Sequence, residues 1–323
     1  MKVLVTGSTS VIGAAVVDRL ISRGDEVTTL QRRPGRAVTA EVHGDVADPS
    51  TVDRAVEGHD AVVHLAAKVD VTGPWEDYRR TNVGGTVNVV DAARRYGVGR
   101  VVHVSSPSVA HGGDALVAAD AGAADPTVTR GHYSTSKAVA EVEALARADS
   151  DLAVVAIRPH LVWGPGDTQL VGRIVERARQ HRLATIGTGA ALIDSTYLDN
   201  AADALVAALD RVPAISGEAL VVSNGEPRPV RELIERIVTA AGLEMPGVRV
   251  PGRVAFAGGL AVEQVWSRLG RDDEPPMTSF LAEQLTTAHW FDQRRTRELL
   301  GWTPSVSLAE GFERLTDWYR STD

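Results

Sequence analysis

The stretch Lys2-Val3-Leu4-Val5-Thr6-Gly7-Ser8-Thr9-Ser10-Val11-Ile12-Gly13 decides the fold. Its first half is a short, β-branched apolar run, the pattern of a strand covered on both faces. Val11–Arg23 follows as a helix, with Ala14, Ala15, Val17 and Leu20 forming a mostly apolar face. Gly7 and Gly13 bracket the turn that joins them. A glycine at the first position permits a tight turn, and one at the last permits close helix–sheet packing. The exposed N–H groups of the new helix can then receive a pyrophosphate. Ser10 stands where the usual dinucleotide fingerprint has its middle glycine. Its Cβ narrows the approach, while its hydroxyl can donate to a phosphate oxygen. The cradle read from these residues is Gly7, Ser10, Val11, Ile12 and Gly13; a plain strand-to-helix turn is the alternative.

Outward from that turn, apolar strands alternate with helical patterns. Glu26–Gln31, Val38–Val42, Ala61–Leu65, Arg100–Ser105 and Leu152–Arg158 read as strands. Ser50–Glu57, Trp75–Tyr96 and Tyr133–Ala148 read as helices between them. This alternation predicts an α/β fold, a doubly wound parallel sheet of Rossmann type with right-handed crossovers. After Gly164-Pro165-Gly166-Asp167 the pattern changes. Gln169–His181 and Asp199–Arg211 read as helices, and Leu192–Leu198 and Glu218–Ser223 as strands. Proline and glycine are denser from Pro227 to Pro276, and two short helices flank Gly301-Trp302-Thr303-Pro304. The expected division is a dinucleotide-binding domain over 1–166 plus about 194–223. A smaller C-terminal substrate-binding region takes about 167–193 and 224–323.

Composition narrows the chemistry. The chain has 323 residues and no cysteine, which excludes disulfides, thiolate metal sites and a cysteine nucleophile. A net charge of −8 argues against a nucleic-acid partner. No apolar run is long enough for a membrane span and no signal segment is read at the start, so a cytoplasmic protein without stable membrane insertion is expected. No histidine spacing suggests a metal, and His132 and His160 read as local structural residues. Among 34 basic residues only Lys2, Lys68 and Lys137 are lysines, and there are five tyrosines. Tyr133-Ser134-Thr135-Ser136-Lys137 nevertheless places one of each at i and i+4, on one helix face. Chance would produce such a pair in about one chain in twenty of this composition. A free phenol titrates near 10; a neighbouring ammonium lowers that value, so the pair is suited to moving a proton on or off a carbinol oxygen. At the end of the second strand, Thr29-Leu30-Gln31-Arg32-Arg33 lacks the acid that accepts the ribose 2′-OH of NAD. Arg32 or Arg33 can pair with a 2′-phosphate, which favours NADP(H) and leaves NAD(H) possible.

Together these segments resemble the extended short-chain dehydrogenases/reductases of the epimerase/dehydratase superfamily, over almost the whole chain. The likeness is carried by Thr6-Gly7…Gly13, Asp45-Val46, His64-Leu65-Ala66-Ala67 and Thr81-Asn82-Val83-Gly84-Gly85-Thr86. It continues in Ser105-Ser106-Pro107-Ser108-Val109 and in Arg158-Pro159-His160-Leu161-Val162-Trp163-Gly164-Pro165-Gly166-Asp167. The branch it is most similar to is the 3β-hydroxysteroid dehydrogenase-like one, and within it the bacterial 2-alkyl-3-oxoalkanoate reductases. Sugar-nucleotide enzymes are the near rival. They carry a phosphate-serving arginine where Ile193 stands, which suits an apolar substrate better. The resemblance implies an NAD(P)-dependent oxidoreductase that interconverts a ketone and a secondary alcohol on a 3-oxo acid or steroid-like molecule. It implies Ser106, Tyr133 and Lys137 as catalytic. Asp45, Val46, Leu65, Ala66, Ala67, Lys68, Pro159 and Val162 join the cradle, Arg32, Arg33, Tyr133 and Lys137 as cofactor-binding residues. Asn82 would support the helix beside the site. It also implies a homodimer through the helices 75–96 and 133–148. A non-catalytic NADP(H)-binding sensor is a further alternative. The substrate pocket is expected after Gly166 and in Pro251–Thr286, where Val254, Phe256, Leu260 and Val262 either line a cleft or pack a helix.

Overall fold

The computed structural model describes residues 1–35, 39–70, 73–269, 275 and 277–322. Its core is a seven-stranded, all-parallel sheet built from β1 (Lys2–Thr6), β2 (Glu26–Gln31), β3 (Ala40–His43), β4 (Ala61–His64), β5 (Arg100–Val104), β6 (Ala153–Pro159) and β7 (Ala219–Val222). The spatial order is β7-β6-β5-β4-β1-β2-β3. Strand order reverses between β1 and β4, so the carboxyl ends of these two strands open the crevice where this architecture binds its ligands. Val3, Leu4, Val5, Val62 and Val63 are fully buried. Each such side chain contributes about 1.5–3 kcal/mol, which explains why the strand pattern was so readable.

The helix Val11–Ser22 covers one face of the sheet together with the helix Leu198–Arg211, linked through Arg19 to Asp199 and Asp203. The helices Pro49–Val56, Gly85–Arg95 and Gly131–Leu145 cover the other face. The stretch expected as one helix over Trp75–Tyr96 is instead interrupted by a π-helical turn, Arg79–Gly84, which carries Asn82. Such turns widen the helix locally and re-aim side chains. The third strand begins at Ala40; Val38, where it was expected to start, lies outside the described residues.

The second half contains a four-stranded sheet that sequence reading did not foresee. It is formed by Leu116–Ala119, Leu192–Ile193, Arg228–Pro229 and His289–Phe291. The expected strand Leu192–Leu198 is therefore split. Leu192–Ile193 joins this sheet, whereas Thr196–Tyr197 pairs with Val162–Trp163. Strands this short draw their partners from distant chain, which local periodicity does not encode. A separate apolar cluster, with Trp163, Tyr197, Leu233, Ile237 and Phe312, holds this region together.

Candidate functional site

The glycine turn is built as a cradle. Gly7 has φ +76°, and a Cβ there would lie 2.8 Å from Ala66 N and 2.9 Å from Ala66 Cα. Only a hydrogen lets the ends of β1 and β4 approach this closely. At Gly13 a Cβ would lie 2.4 Å from the Gly7 carbonyl oxygen. Ser10 caps the helix: its hydroxyl accepts from Gly13 N (3.1 Å) and donates to Gly7 O (2.9 Å). In this structure the hydroxyl proton expected to be available to a phosphate is directed into the turn. Val11 and Ile12 open the helix half-buried. The two missing Cβ atoms let the turn pack tightly against β4 and against the start of the helix, the arrangement in which a helix N-terminus can receive a pyrophosphate.

The far side of the crevice shows what sequence reading missed. Gln31, at the end of β2, accepts from the Ser8 hydroxyl and donates to Glu41 Oε1 at 2.9 Å. Glu41 also accepts from Gly35 N at 3.1 Å. Arg32 and Arg33 are exposed and hold no ion pair among the described residues. Asp45 accepts from Ala47 N (3.0 Å) and meets Arg80 at 3.3 Å, while Val46 is buried against Gly85.

At the end of β4, Leu65, Ala66, Ala67 and Lys68 form a half-buried loop over a chain of buried hydrogen bonds. Ala66 N donates to Thr6 Oγ1 at 3.1 Å, and Thr6 Oγ1 lies 2.8 Å from His64 Nδ1. His64 Nε2 lies 3.1 Å from Thr86 Oγ1, which gives its own proton to the Asn82 carbonyl at 2.7 Å. Because Thr86 is already a donor, His64 must donate through Nε2 and accept at Nδ1, so it is neutral. Burial and the positive charge of Lys137 push it down to about 3. Asn82 ties the loop to the helix Gly131–Leu145. Its Oδ1 accepts from Lys68 N (2.7 Å), and its Nδ2 donates to Lys68 O (3.0 Å) and Ser136 Oγ (2.9 Å). The Lys68 ammonium pairs with Asp70 at 2.8 Å.

Ser106 follows β5, caps the turn Pro107–Ala110, and lies 2.9 Å from the Ser108 hydroxyl. Ser106 and Tyr133 line one cavity, whereas Ser105 is buried away from it. Burial pushes the Tyr133 phenol above its ordinary value, and the Ser106 hydroxyl pulls the other way without offsetting it. The expected lowering by Lys137 is not what this geometry gives. That ammonium, buried on the same helix, donates to Val104 O at 2.7 Å. Burial brings Lys137 down to about 8, with Glu141 opposing. Pro159 lines the same cavity as Tyr133, and Val162 sits beyond it, paired with Thr196.

The cavity measures about 760 Å³. Leu170, Ile174, Ile193, Leu233 and Val254 give it an apolar wall. Of the four residues read as lining a cleft or packing a helix, Val254 and Val262 line this cavity, Phe256 lines a neighbouring one, and Leu260 lines neither. Residues 270–274 and 276 of the expected pocket segment, including Pro276, lie outside the described residues. His111, His160 and His289 share the cavity's lining with Ser106 and Tyr133. His160 was read as a local structural residue; His111 and His289 carried no short-range signal, because the three come from separate elements. His132, read as a local structural residue, is structural but not local: it is bonded to Gly73 O at 3.0 Å and its ring lies against Trp75 and Tyr78. Among the described residues no group of acidic, histidine or cysteine side chains could hold a metal, and no helix is long and apolar enough to cross a membrane.

A family model for the 3-beta hydroxysteroid dehydrogenase/isomerase family matches residues 4–251. The chain is 42% identical to a 2-alkyl-3-oxoalkanoate reductase of Stenotrophomonas maltophilia, over 98% of each chain. It is 29% identical to a 3-beta-hydroxysteroid dehydrogenase of Mycolicibacterium neoaurum, over 98% of this chain and 91% of that one. Among solved structures it is similar to MoeE5 in complex with UDP-glucuronic acid and NAD, with a TM-score of 0.75 and 27% identity over the whole of both chains.

Proposed function

Because the chain belongs to the 3-beta hydroxysteroid dehydrogenase/isomerase family and is a nicotinamide-dependent oxidoreductase acting on CH–OH groups, we propose that its substrate is an apolar 3-oxo acid of the 2-alkyl-3-oxoalkanoate type. The observation that carries this reading is the 760 Å³ apolar cavity with Ser106 and Tyr133 in its wall. Ile193 stands at that wall where the sugar-nucleotide enzymes carry a phosphate-serving arginine, which favours the apolar substrate; Arg173, Arg177 and Arg182 elsewhere in the lining make the sugar-nucleotide arm of the test below necessary. When bound, the nicotinamide supplies the hydride. Ser106 and Tyr133 donate to the carbonyl oxygen and stabilise the charge that develops there. The phenol proton then passes to that oxygen. A phenol kept protonated by burial is poised to act as an acid, which fits the reductive direction. Lys137 leaves Val104 O to hold the nicotinamide ribose and favour the phenolate that remains.

Gly7, Ser10, Val11, Ile12, Gly13, Asp45, Val46, Leu65, Ala66, Ala67, Lys68, Pro159 and Val162 border the dinucleotide in this reading. Arg32 and Arg33 take the 2′-phosphate of NADP(H). Residues 1–166 with about 194–223 hold the cofactor; 167–193 and 224–323 hold the substrate. Pairing of two copies through the helices 75–96 and 133–148 belongs to the same reading.

The experiment is NAD(P)H oxidation across 2-alkyl-3-oxo acids, 3-oxosteroids and UDP- or dTDP-sugars. Reduction of the acids is expected, and Tyr133→Phe should lower it by about 10²–10⁴-fold while cofactor still binds. Sugar epimerisation without ketone reduction would overturn the substrate class. Near-normal turnover in Tyr133→Phe would remove Tyr133 as the proton donor.

A further inference from the structure

Of the three histidines that line the cavity, two are connected in one direction. His289 Nε2 lies 3.1 Å from the Gln284 carbonyl, which can only accept, so this nitrogen donates. His289 Nδ1 is then an acceptor, and His160 Nε2, 3.1 Å away, must be the donor. That leaves His160 Nδ1 as a lone pair, and this nitrogen is buried with no partner. His111 Nε2 is likewise buried and unpartnered. His160 is 7% exposed, and its ring stands edge-on to both His289 and Phe291 at 5.1 Å. Two orphaned nitrogens beside one cavity are rare, because a buried polar group without a partner costs about 1–3 kcal/mol.

We propose that His111, His160 and His289 form the subsite that receives the carboxylate of the substrate beside its reacting carbonyl. The proposal rests on the 3-oxo acid reading above. In a 3-oxo acid the carboxylate is one carbon from the ketone, so it must lie next to whatever holds the ketone oxygen. Ser106 and Tyr133 hold that oxygen, and His111 and His160 line the same cavity. His111 closes the turn that Ser106 caps, and His160 directly follows β6. One proton taken up with the acid turns a lone pair into a donor toward the carboxylate.

Other charges also line the cavity: Arg173 and Arg177 on the helix Val171–Arg179 and Arg182 just after it, with Leu170 and Ile174 at the apolar wall. The charges from the chain around the histidines are committed or opposed: Arg158 to Glu141 (2.9 Å) and Gly122 O (3.1 Å), Arg130 to Glu283 (2.8 Å), and Asp114 repels an anion. Burial, Arg158 and the neighbouring rings keep His111 and His160 neutral, His111 at about 4. An arriving anion raises both, so binding of the acid should take up a proton and weaken as pH rises.

The test compares a 2-alkyl-3-oxo acid with its methyl ester in His160→Gln and in His111→Gln, the second at a half-buried position that tolerates change. The expected result is a KM at least tenfold higher for the acid, with the ester's KM within twofold and thermal melting retained. Equal effects on acid and ester, or none, would overturn the subsite. Should the wild type reduce neither, the substrate reading fails, and calorimetry still decides the subsite. A non-reducible 2-alkyl carboxylic acid should then bind at least tenfold tighter than its methyl ester, with uptake of about one proton; equal affinities would overturn it.

Discussion

The two halves of the site differ in where their unpartnered polar atoms lie. On the cofactor side, Ala66, Thr6, His64, Thr86 and Asn82 form a chain in which each donor meets an acceptor of the protein itself, and the unpartnered atoms of His103 and Ser105 are buried away from the 760 Å³ cavity. On the substrate side, His111 Nε2 and His160 Nδ1 end in nothing. A pyrophosphate is bound largely by backbone N–H groups and shape, so the side chains around it can satisfy one another. A substrate must be told apart from its relatives, and polar atoms that only the right ligand completes do that work. The half whose chain is completed by the protein binds the cofactor in this reading, and the half whose cavity wall holds open polar atoms meets the substrate.

Breaking the completed half should have the largest effect. In Gly7→Ala a methyl group would be pressed within 3 Å of the Ala66 backbone, at a φ that L-residues rarely adopt. The backbone term alone costs of order 1–3 kcal/mol, and the ends of β1 and β4 must separate to admit the methyl group. Cofactor affinity by calorimetry should fall more than about a hundredfold, together with the melting temperature. Ile174→Ala in the cavity wall should leave cofactor affinity unchanged and alter only the substrate's KM. Intact cofactor binding in Gly7→Ala would show that the close approach of the two strands is not used.

Lys137 lies where the halves meet, and its ammonium offers a test of how dry that boundary is. Its value in the fold is about 8, against 10.5 when free. Below pH 8 both states are charged and the cost of burying the charge is fully present. Between pH 8 and 10.5 the unfolded chain binds more protons than the native one, so this site's contribution to stability rises with pH. The full excursion is about 3 kcal/mol. Urea denaturation of wild type and Lys137→Met should therefore show a difference that moves by about that amount in favour of the wild type from pH 7 to pH 11. A constant difference would mean that the ammonium is solvated.

The same division explains what the sequence could reveal. Lys2–Thr6, Gly7 and Gly13 are local: one strand, one turn and one helix state their purpose within a dozen residues. The Tyr133–Lys137 spacing is equally local, and scarcity of both residue types made it stand out. Asn82 was legible as a support, though not the π-helical turn that carries it, because no spacing rule distinguishes such a turn from the helix around it. The histidine cluster was illegible for a different reason. His111 follows a turn, His160 a sheet strand, and His289 belongs to the four-stranded sheet, whose strands are two to four residues long. Contacts assembled across 178 residues of chain leave no periodic trace. Ser10 was legible as a member of the turn, though not as its cap, because its hydroxyl has two uses and sequence does not rank them.

The smallest expected effect concerns the choice of cofactor, where the completed half has its one unsettled edge. Arg32 and Arg33 stand exposed and unpaired beyond β2, ready for a 2′-phosphate. Yet Gln31, where an acid would select NAD, is tied to the Glu41 carboxylate, and that charge opposes a phosphate. At an exposed rim the arginines' advantage is modest and screened by salt. Arg32→Ala and Arg33→Ala should each weaken NADP(H) binding about fivefold, roughly 1 kcal/mol, and leave NAD(H) within twofold. Glu41→Gln should shift preference further toward NADP(H) by removing the opposing charge. Fluorescence titration at low and moderate salt reads all three. If the arginine variants weaken both cofactors alike, their charge steers the dinucleotide as a whole, and the Gln31–Glu41 pair is left as the partner of an unphosphorylated ribose.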